Sequence, residues 1–242
     1  MYIGTNELEK VYLGTTELDK IYIGSNSVYE KQSGGGGIDE NTLAMLHFDG
    51  NASDSSLYAS TAKYSATPSM TFVSGKWNKQ AAASSNNWSI GNSNAWTSIS
   101  SVTVDYQIYL DPTNTLAICP KIKPYNNPYF FTAYIFGYGG SVACFLSTPS
   151  NQYINLSSYM SSAVLNSWNH YAYGYDADNN QVFIYLNGTK VYEQSYTFNN
   201  FSVQNLALES FSSSAKDRIQ ELRMSKGRIY TTDFTPPSQP YS

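Results

Sequence analysis

His170-Tyr171-Ala172-Tyr173-Gly174-Tyr175 and Gln181-Val182-Phe183-Ile184-Tyr185-Leu186 are two aromatic and β-branched runs separated by Asp176–Asn180 and followed by Asn187-Gly188. Side chains of this type suit a pleated, half-buried strand. Asp178-Asn179-Asn180 supplies turn residues, and Asn-Gly is the pair that a type I′ turn requires. The stretch therefore reads as strand, hairpin, strand, hairpin. Outward from it the same texture recurs in Leu43–Phe48, Val102–Leu110 and Phe130–Phe136, with turn signals at Asp49-Gly50, Asp111-Pro112 and Gly139-Gly140. No segment holds a 3.6-residue apolar period over three turns. Many short strands over some 205 residues predict an all-β fold, a two-sheet antiparallel jelly-roll sandwich.

Composition agrees. Charged residues make up 13% of the 242 and aromatics 15%, with 22 tyrosines. Tyr, Thr, Ser and Asn stand where a helical protein carries Lys and Glu. A net charge of -4 gives no electrostatic reason to attract phosphate, so nucleic acid is not expected as a partner. No apolar run reaches the roughly 18–20 residues of a membrane span, and the first residues lack the basic and apolar regions of a signal peptide. Cys119 and Cys144, the only cysteines, form neither a disulfide framework nor a zinc motif; they read as half-buried thiols, with a single bridge as the alternative.

The chain divides at Gln32-Ser33-Gly34-Gly35-Gly36-Gly37, read as a flexible hinge (32–37) because four glycines hold no single conformation cheaply. Before it, residues 1–31 contain eight charged side chains and repeat with a period of ten: Tyr2-Ile3-Gly4-Thr5, Tyr12-Leu13-Gly14-Thr15, Tyr22-Ile23-Gly24-Ser25. The expectation is a run of strands of about six residues joined by tight turns. Thirty such residues bury no core of their own. The segment therefore reads as an anchor completed by another protein or by copies of itself, through Tyr2, Tyr12, Tyr22, Leu8 and Leu18; a meander packed on the main domain is the alternative. Residues 38–242 form the large domain.

Three kinds of chemistry are open to that domain. Glycoside hydrolysis needs two carboxylates about 5–9 Å apart. Asp176 and Asp178 have the spacing but lie in a turn, Glu209 and Glu221 are isolated, His47 and His170 read as core histidines, and no nucleophile elbow occurs. An enzyme is not expected. Calcium wants six to eight oxygens from an irregular loop. Asp49, Asn51 and Asp54 follow a strand and admit two readings, a calcium loop or ordinary turn residues. Sugar binding combines an aromatic plate with amides and hydroxyls. Trp88 and Trp96 flank Ser/Asn-rich stretches, and Tyr125, Asn127 and Tyr129 lie in the loop Pro124–Tyr129, so these five are the candidate carbohydrate contacts. Trp77 and Trp88 also fit as core plugs.

Several motifs resemble those of the concanavalin A-like, laminin-G-like lectin domains. Leu46-His47-Phe48-Asp49-Gly50-Asn51 looks like their opening strand, and Trp168-Asn169-His170-Tyr171-Ala172 like their W-x-H-x-A strand. Val182–Gly188 is similar to the hairpin that follows, and Ile219-Gln220-Glu221-Leu222-Arg223-Met224-Ser225 to the closing strand. Arg228–Pro237 and the Tyr-x-Gly repeats resemble segments of bacteriophage structural proteins. The resemblance implies a virion location, other phage structural proteins as partners of 1–31, display in many copies and host-surface glycan as ligand. It also implies calcium at the 49–54 loop, although Gln220 stands where the calcium-binding relatives carry an acid. The rival readings are a structural decoration that binds no sugar and a polysaccharide-degrading enzyme.

Overall fold

The computed structural model describes, before residue 38, the backbone of 2–3, 6–7, 12–13, 16–17, 20–23 and 26–30. From residue 38 it describes all but 59–62, 65–69, 86–87, 92–95, 97, 115–117, 126, 128, 151, 200, 211–215 and 242, with backbone alone at 63–64, 84–85, 88, 118 and 209–210. Two compact units result, Met1–Gly34 and Gly35–Ser242. The glycine tract, Leu8 and Leu18 lie outside the described residues, and at Tyr2, Tyr12 and Tyr22 only the backbone is described.

The first unit is three antiparallel hairpins: β1 (Tyr2–Ile3) with β2 (Asn6–Glu7), β3 (Tyr12–Leu13) with β4 (Thr16–Glu17), and β5 (Lys20–Ile23) with β6 (Asn26–Glu30). Each copy of the repeat contributes one hairpin, and the registers Tyr2↔Glu7 and Tyr12↔Glu17 repeat with the sequence. The expected six-residue strands are two residues long in the first two copies. The two strands of each copy pair antiparallel, so every copy turns back on itself.

The second unit contains β7 (Thr42–Leu46), β8 (Lys63–Tyr64), β9 (Met70–Ser74), β10 (Gln80–Ser85), β11 (Trp88–Gly91), β12 (Val102–Tyr109), β13 (Ile118–Pro124) and β14 (Thr132–Tyr138). It continues with β15 (Ser141–Ser147), β16 (Tyr153–Asn155), β17 (Trp168–Asp176), β18 (Gln181–Leu186), β19 (Thr189–Ser195), β20 (Val203–Ser210) and β21 (Arg218–Lys226). Among the described residues there is no α-helix, hence no helix long and apolar enough to cross a membrane. One sheet runs β19-β18-β17-β12-β21-β10-β9, with β7 also on β21. The opposing layer is β13-β20-β11-β8 continued by β14-β15-β16. Ile122 and Phe131 exchange backbone bonds of 2.8 and 2.9 Å and join its two parts. The expected two-sheet antiparallel sandwich is what forms.

Alternation along β12 shows how the sequence builds it. Val102, Val104, Tyr106 and Ile108 enter the core between the sheets, and Thr103, Asp105, Gln107 and Tyr109 take the other face. Yet Thr103, Asp105 and Gln107 are buried as well. The segment after β21 covers Thr103 and Asp105, and Lys76 meets Gln107. Tyr230 and Phe234, stacked at 3.8 Å, pack on Ala172, Phe183 and Tyr185 to form a second apolar cluster. The turns obey their chemistry. Asn187 and Gly188 have φ of 51° and 82°, and Asp176 Oδ1 accepts from the Asp178 and Asn179 amides.

Candidate functional site

At the end of β13 the chain leaves the sheet through Pro124 and Tyr125, whose amide donates to the Ser202 carbonyl at 2.8 Å. That bond ties loop 125–129 to the segment entering β20. Asn127 braces the loop from within: its Nδ2 donates to the Pro149 carbonyl at 3.2 Å and its Oδ1 accepts from the Tyr129 amide at 2.9 Å. On the facing side, Phe198 and Phe201 turn into the core against Phe131 and Tyr175, with ring centroids 4.5–5.8 Å apart. Tyr175 also accepts the Phe198 amide on its hydroxyl.

Between these walls lies a groove of about 530 Å³. Pro124, Pro149, Phe198 and Phe201 provide its apolar surface, Tyr125 an aromatic edge, and Asn127, Ser150, Thr197, Asn199 and Ser202 its polar groups. Tyr125 is 45% exposed and Tyr129, beside it, 43%, so both rings are available. No lining residue is charged, which fits a neutral ligand with hydroxyls to satisfy and a C–H face to cover.

Of the candidate contacts, Tyr125 and Asn127 line the groove and Tyr129 lies beside it, whereas Trp96 is buried. That ring is 0% exposed in the core between the sheets, so it plugs the sandwich and presents no plate to a sugar. Trp88 pairs with Leu208 in β11; its side chain is outside the description. Thr197, Phe198, Asn199 and Phe201 were not singled out from sequence. The signal was present, since Tyr196-Thr197-Phe198-Asn199-Asn200-Phe201 has the same aromatic–amide texture as 124–129.

In the 49–54 loop each of the three candidate ligands has protein hydrogen-bond partners. Asp49 accepts from Lys79 Nζ (2.9 Å) and the Gln80 amide (3.1 Å), and these bonds hold its carboxyl below the usual range. Asn51 accepts from the Ser53 amide, and Asp54 Oδ1 from the amides of Met45 and Ser56. Asp49 thus bridges to Lys79 and Gln80, 30 and 31 residues away, while Asn51 and Asp54 accept from amides within nine residues. Among the described residues no group of three His, Cys, Asp or Glu converges as a metal site. Glu221, in a left-handed bulge (φ 54°), faces His47 Nδ1 at 2.9 Å. The hydrogen bond to Glu221 raises the His47 pKa against the opposing effect of burial.

Cys119 and Cys144 are buried thiols and form no disulfide. Burial pushes Cys144 up to about 12, although Tyr171 shares a hydrogen bond with it at 3.4 Å.

The sequence matches no protein-family model, and no curated protein matches it. Solved structures do resemble the fold. The botulinum neurotoxin serotype D binding domain aligns at TM-score 0.57 and 12% identity, over 79% of this chain and 49% of that one. The same domain in complex with N-acetylneuraminic acid aligns at 0.57 and 13%, over 80% and 49%. Domain 4 of AbnA, an extracellular arabinanase of Geobacillus stearothermophilus, in complex with arabinotriose, aligns at 0.54 and 18%, over 77% and 93%. This chain spans about half the length of the botulinum domains. At these identities the likeness is one of fold: an all-β antiparallel sandwich of the concanavalin A-like type.

Proposed function

We propose that the second unit is a carbohydrate-binding domain whose saccharide lies in the groove between Tyr125 and Asn199. The observation that carries this reading is the uncharged, aromatic-walled groove with amides and hydroxyls on its rim. Two structural neighbours, described as bound to N-acetylneuraminic acid and to arabinotriose, support it. The finer reading places the chain on a bacteriophage particle, the Tyr-x-Gly hairpins anchoring it and many copies presenting weak sites to a host surface. Its support is the resemblance of the repeats and of Arg228–Pro237 to phage structural proteins.

The test is multivalent display of the full chain on a glycan panel. Saturable binding to one sugar class, lost in Tyr125→Ala and kept in Trp96→Phe, is the expected result. Failure of folded protein to bind any glycan overturns the proposal. Incorporation of full-length chain into particles, set against a chain lacking 1–31, tests the anchor.

One observation favours the structural-decoration reading. On the outward face of β14–β15–β16, Tyr134, Phe136 and Phe145 pack at 5.8–6.3 Å beside exposed Tyr138 and Tyr153. An aromatic face of this kind fits contact with a neighbouring protein.

A further inference from the structure

The far end of the large sheet, away from the groove, carries a cluster that the proposed function does not use. Register places Trp168, Tyr109 and Arg218 in one row across β17, β12 and β21, and His170, Gln107 and Gln220 in the next. The β9–β10 hairpin comes down on these rows. Gly75 admits it, since a Cβ there would lie 2.7 Å from Gln220 Oε1. Its tip is Trp77-Asn78, both left-handed at φ 56° and 58°, a conformation that glycine or asparagine adopts readily and tryptophan does not.

Two buried amide groups of the cluster lack a partner. Lys76 donates from its backbone N to Gln220 Oε1 (2.8 Å) and from Nζ to Gln107 Oε1 (2.9 Å). Both amides are thereby oriented, and their Nε2 groups remain buried without a partner. Lys76 and Arg218 make no ion pair among the described residues. Of the acids nearby, Asp49 pairs with Lys79, Glu221 faces His47 and the Tyr241 amide, and Asp111 accepts from Thr113 while feeling the Arg218 charge at longer range; Arg218 Nη1 itself donates to the Ser74 carbonyl at 3.1 Å. Aromatic faces accompany both cations: Nζ of Lys76 lies 4.4 Å from the Trp77 ring centre, and the Arg218 guanidinium 4.7 Å from that of Tyr109.

Two cations that make no ion pair among the described residues, two oriented amide donors and three half-buried aromatic rings form one locus on two strands and a strained turn. A bare anion would use the cations and leave the rings idle; a neutral sugar would use the rings and leave the cations idle. We propose that this locus is a second binding site, for an acidic sugar residue. Its carboxylate takes Lys76 Nζ and the Arg218 guanidinium. Its hydroxyls take the two glutamine Nε2 groups as Lys76 turns from Gln107 to the anion, and Trp77 and Tyr109 flank the ring. The site shares no residue with the groove, so it stands or falls separately.

The experiment is a titration of the ¹⁵N-labelled full chain with glucuronate and, in parallel, glucose, reading the tryptophan indole N–H signals assigned by Trp→Phe variants. Glucuronate is expected to shift Trp77 while Trp96 stays fixed, with glucose inert. Lys76→Met, its spectrum otherwise unchanged, is expected to weaken glucuronate by about tenfold, the loss of one charge-assisted contact. Arg218→Lys, which keeps the charge, weakens it less. Tyr125→Ala leaves the response intact even where it abolishes binding in the groove. Should Lys76→Met fail to fold, the wild-type chain decides by ionic strength: added salt must weaken glucuronate binding. A Trp77 signal that does not move, moves equally with glucose, or responds to glucuronate independently of salt overturns the proposal.

Discussion

Asp105 and Arg223 face each other across β12 and β21, Oδ2 3.0 Å from Nη2 and 3.1 Å from Nε, with both side chains buried. The pair is the docking point for the segment after β21. Tyr241 donates its hydroxyl to Asp105 and lays its ring on the guanidinium at 4.3 Å, and Arg223 donates to the Tyr230 hydroxyl at 3.0 Å. Burial works to raise the Asp105 pKa; the Arg223 charge and the bonds from His170 and Tyr241 outweigh it and hold the carboxylate ionised. Such a pair need not add net stability, but losing one partner strands the other. Asp105→Ala is expected to cost about 3–5 kcal/mol in urea unfolding and to expose 227–241 to protease, whereas Asp105→Leu with Arg223→Met recovers much of that loss.

Gly188 tests the same docking from the other side. The Phe234 amide donates to its carbonyl at 2.9 Å, and a Cβ on Gly188 would stand 1.9 Å from the Phe234 carbonyl oxygen. Gly139 is also left-handed, at φ 55°, yet a Cβ there meets nothing within 4 Å. Gly139→Ala is therefore expected to cost only conformational strain, about 1–2 kcal/mol. Gly188→Ala adds displacement of 233–236 and is expected to cost at least twice that, with loss of the tail's proteolytic protection. Equal melting temperatures for the two variants would contradict the docking.

Strands with local signals were legible. Gln181–Leu186 alternates Val182, Ile184 and Leu186 toward the core with Phe183 and Tyr185 away from it, and Asn187-Gly188 fixes its end, so its bounds follow from a ten-residue window. The covering of the outer face was not legible. Asp105 meets Tyr241 across 136 positions and His47 meets Glu221 across 174, and no local pattern marks such contacts. Trp96 illustrates a different limit, because a ring amid Ser and Asn has the same sequence signature whether it plugs a core or plates a surface. Half of the groove was legible in 124–129. Its other wall was missed because Phe198 and Phe201 lie outside any strand, and only the fold brings them to Tyr125.

For the groove, ring and brace separate cleanly. Tyr125→Phe keeps the plate and is expected to keep most of the glycan affinity, while Tyr125→Ala removes it and should weaken binding about tenfold or more, since one aromatic contact is worth roughly 0.5–1.5 kcal/mol beyond the area it buries. Asn127→Ala frees both the Pro149 carbonyl and the Tyr129 amide, so the loop loses its brace. Its expected effect is a smaller loss of affinity with unchanged global stability, read by calorimetric titration and thermal melting of the same samples.

Asp217 gives the domain a pH dependence of definite sign. Its carboxylate is buried at the start of β21 and accepts from the Asp111 amide at 2.7 Å and the Gly137 amide at 3.2 Å, so it clips β14 to the 111–114 turn. Burial raises its pKa from 3.8 to about 7, more than these donors lower it. The folded state therefore keeps a proton that the unfolded chain has released. Stability associated with this group is fully present below about pH 4, declines as pH rises, and is lost once pH passes about 7. His47, raised by Glu221, contributes in the same direction, its stabilisation present below about 6.5 and lost as pH passes its folded value. Asp217→Asn removes the titration and keeps an acceptor for one of the two amides. Urea midpoints measured from pH 4 to pH 8 are expected to fall more steeply for the wild-type chain than for Asp217→Asn. The carboxyl ¹³C signal assigned to Asp217 should titrate near 7; a midpoint near 4 would mean that the two amides, and not burial, set the charge on this group.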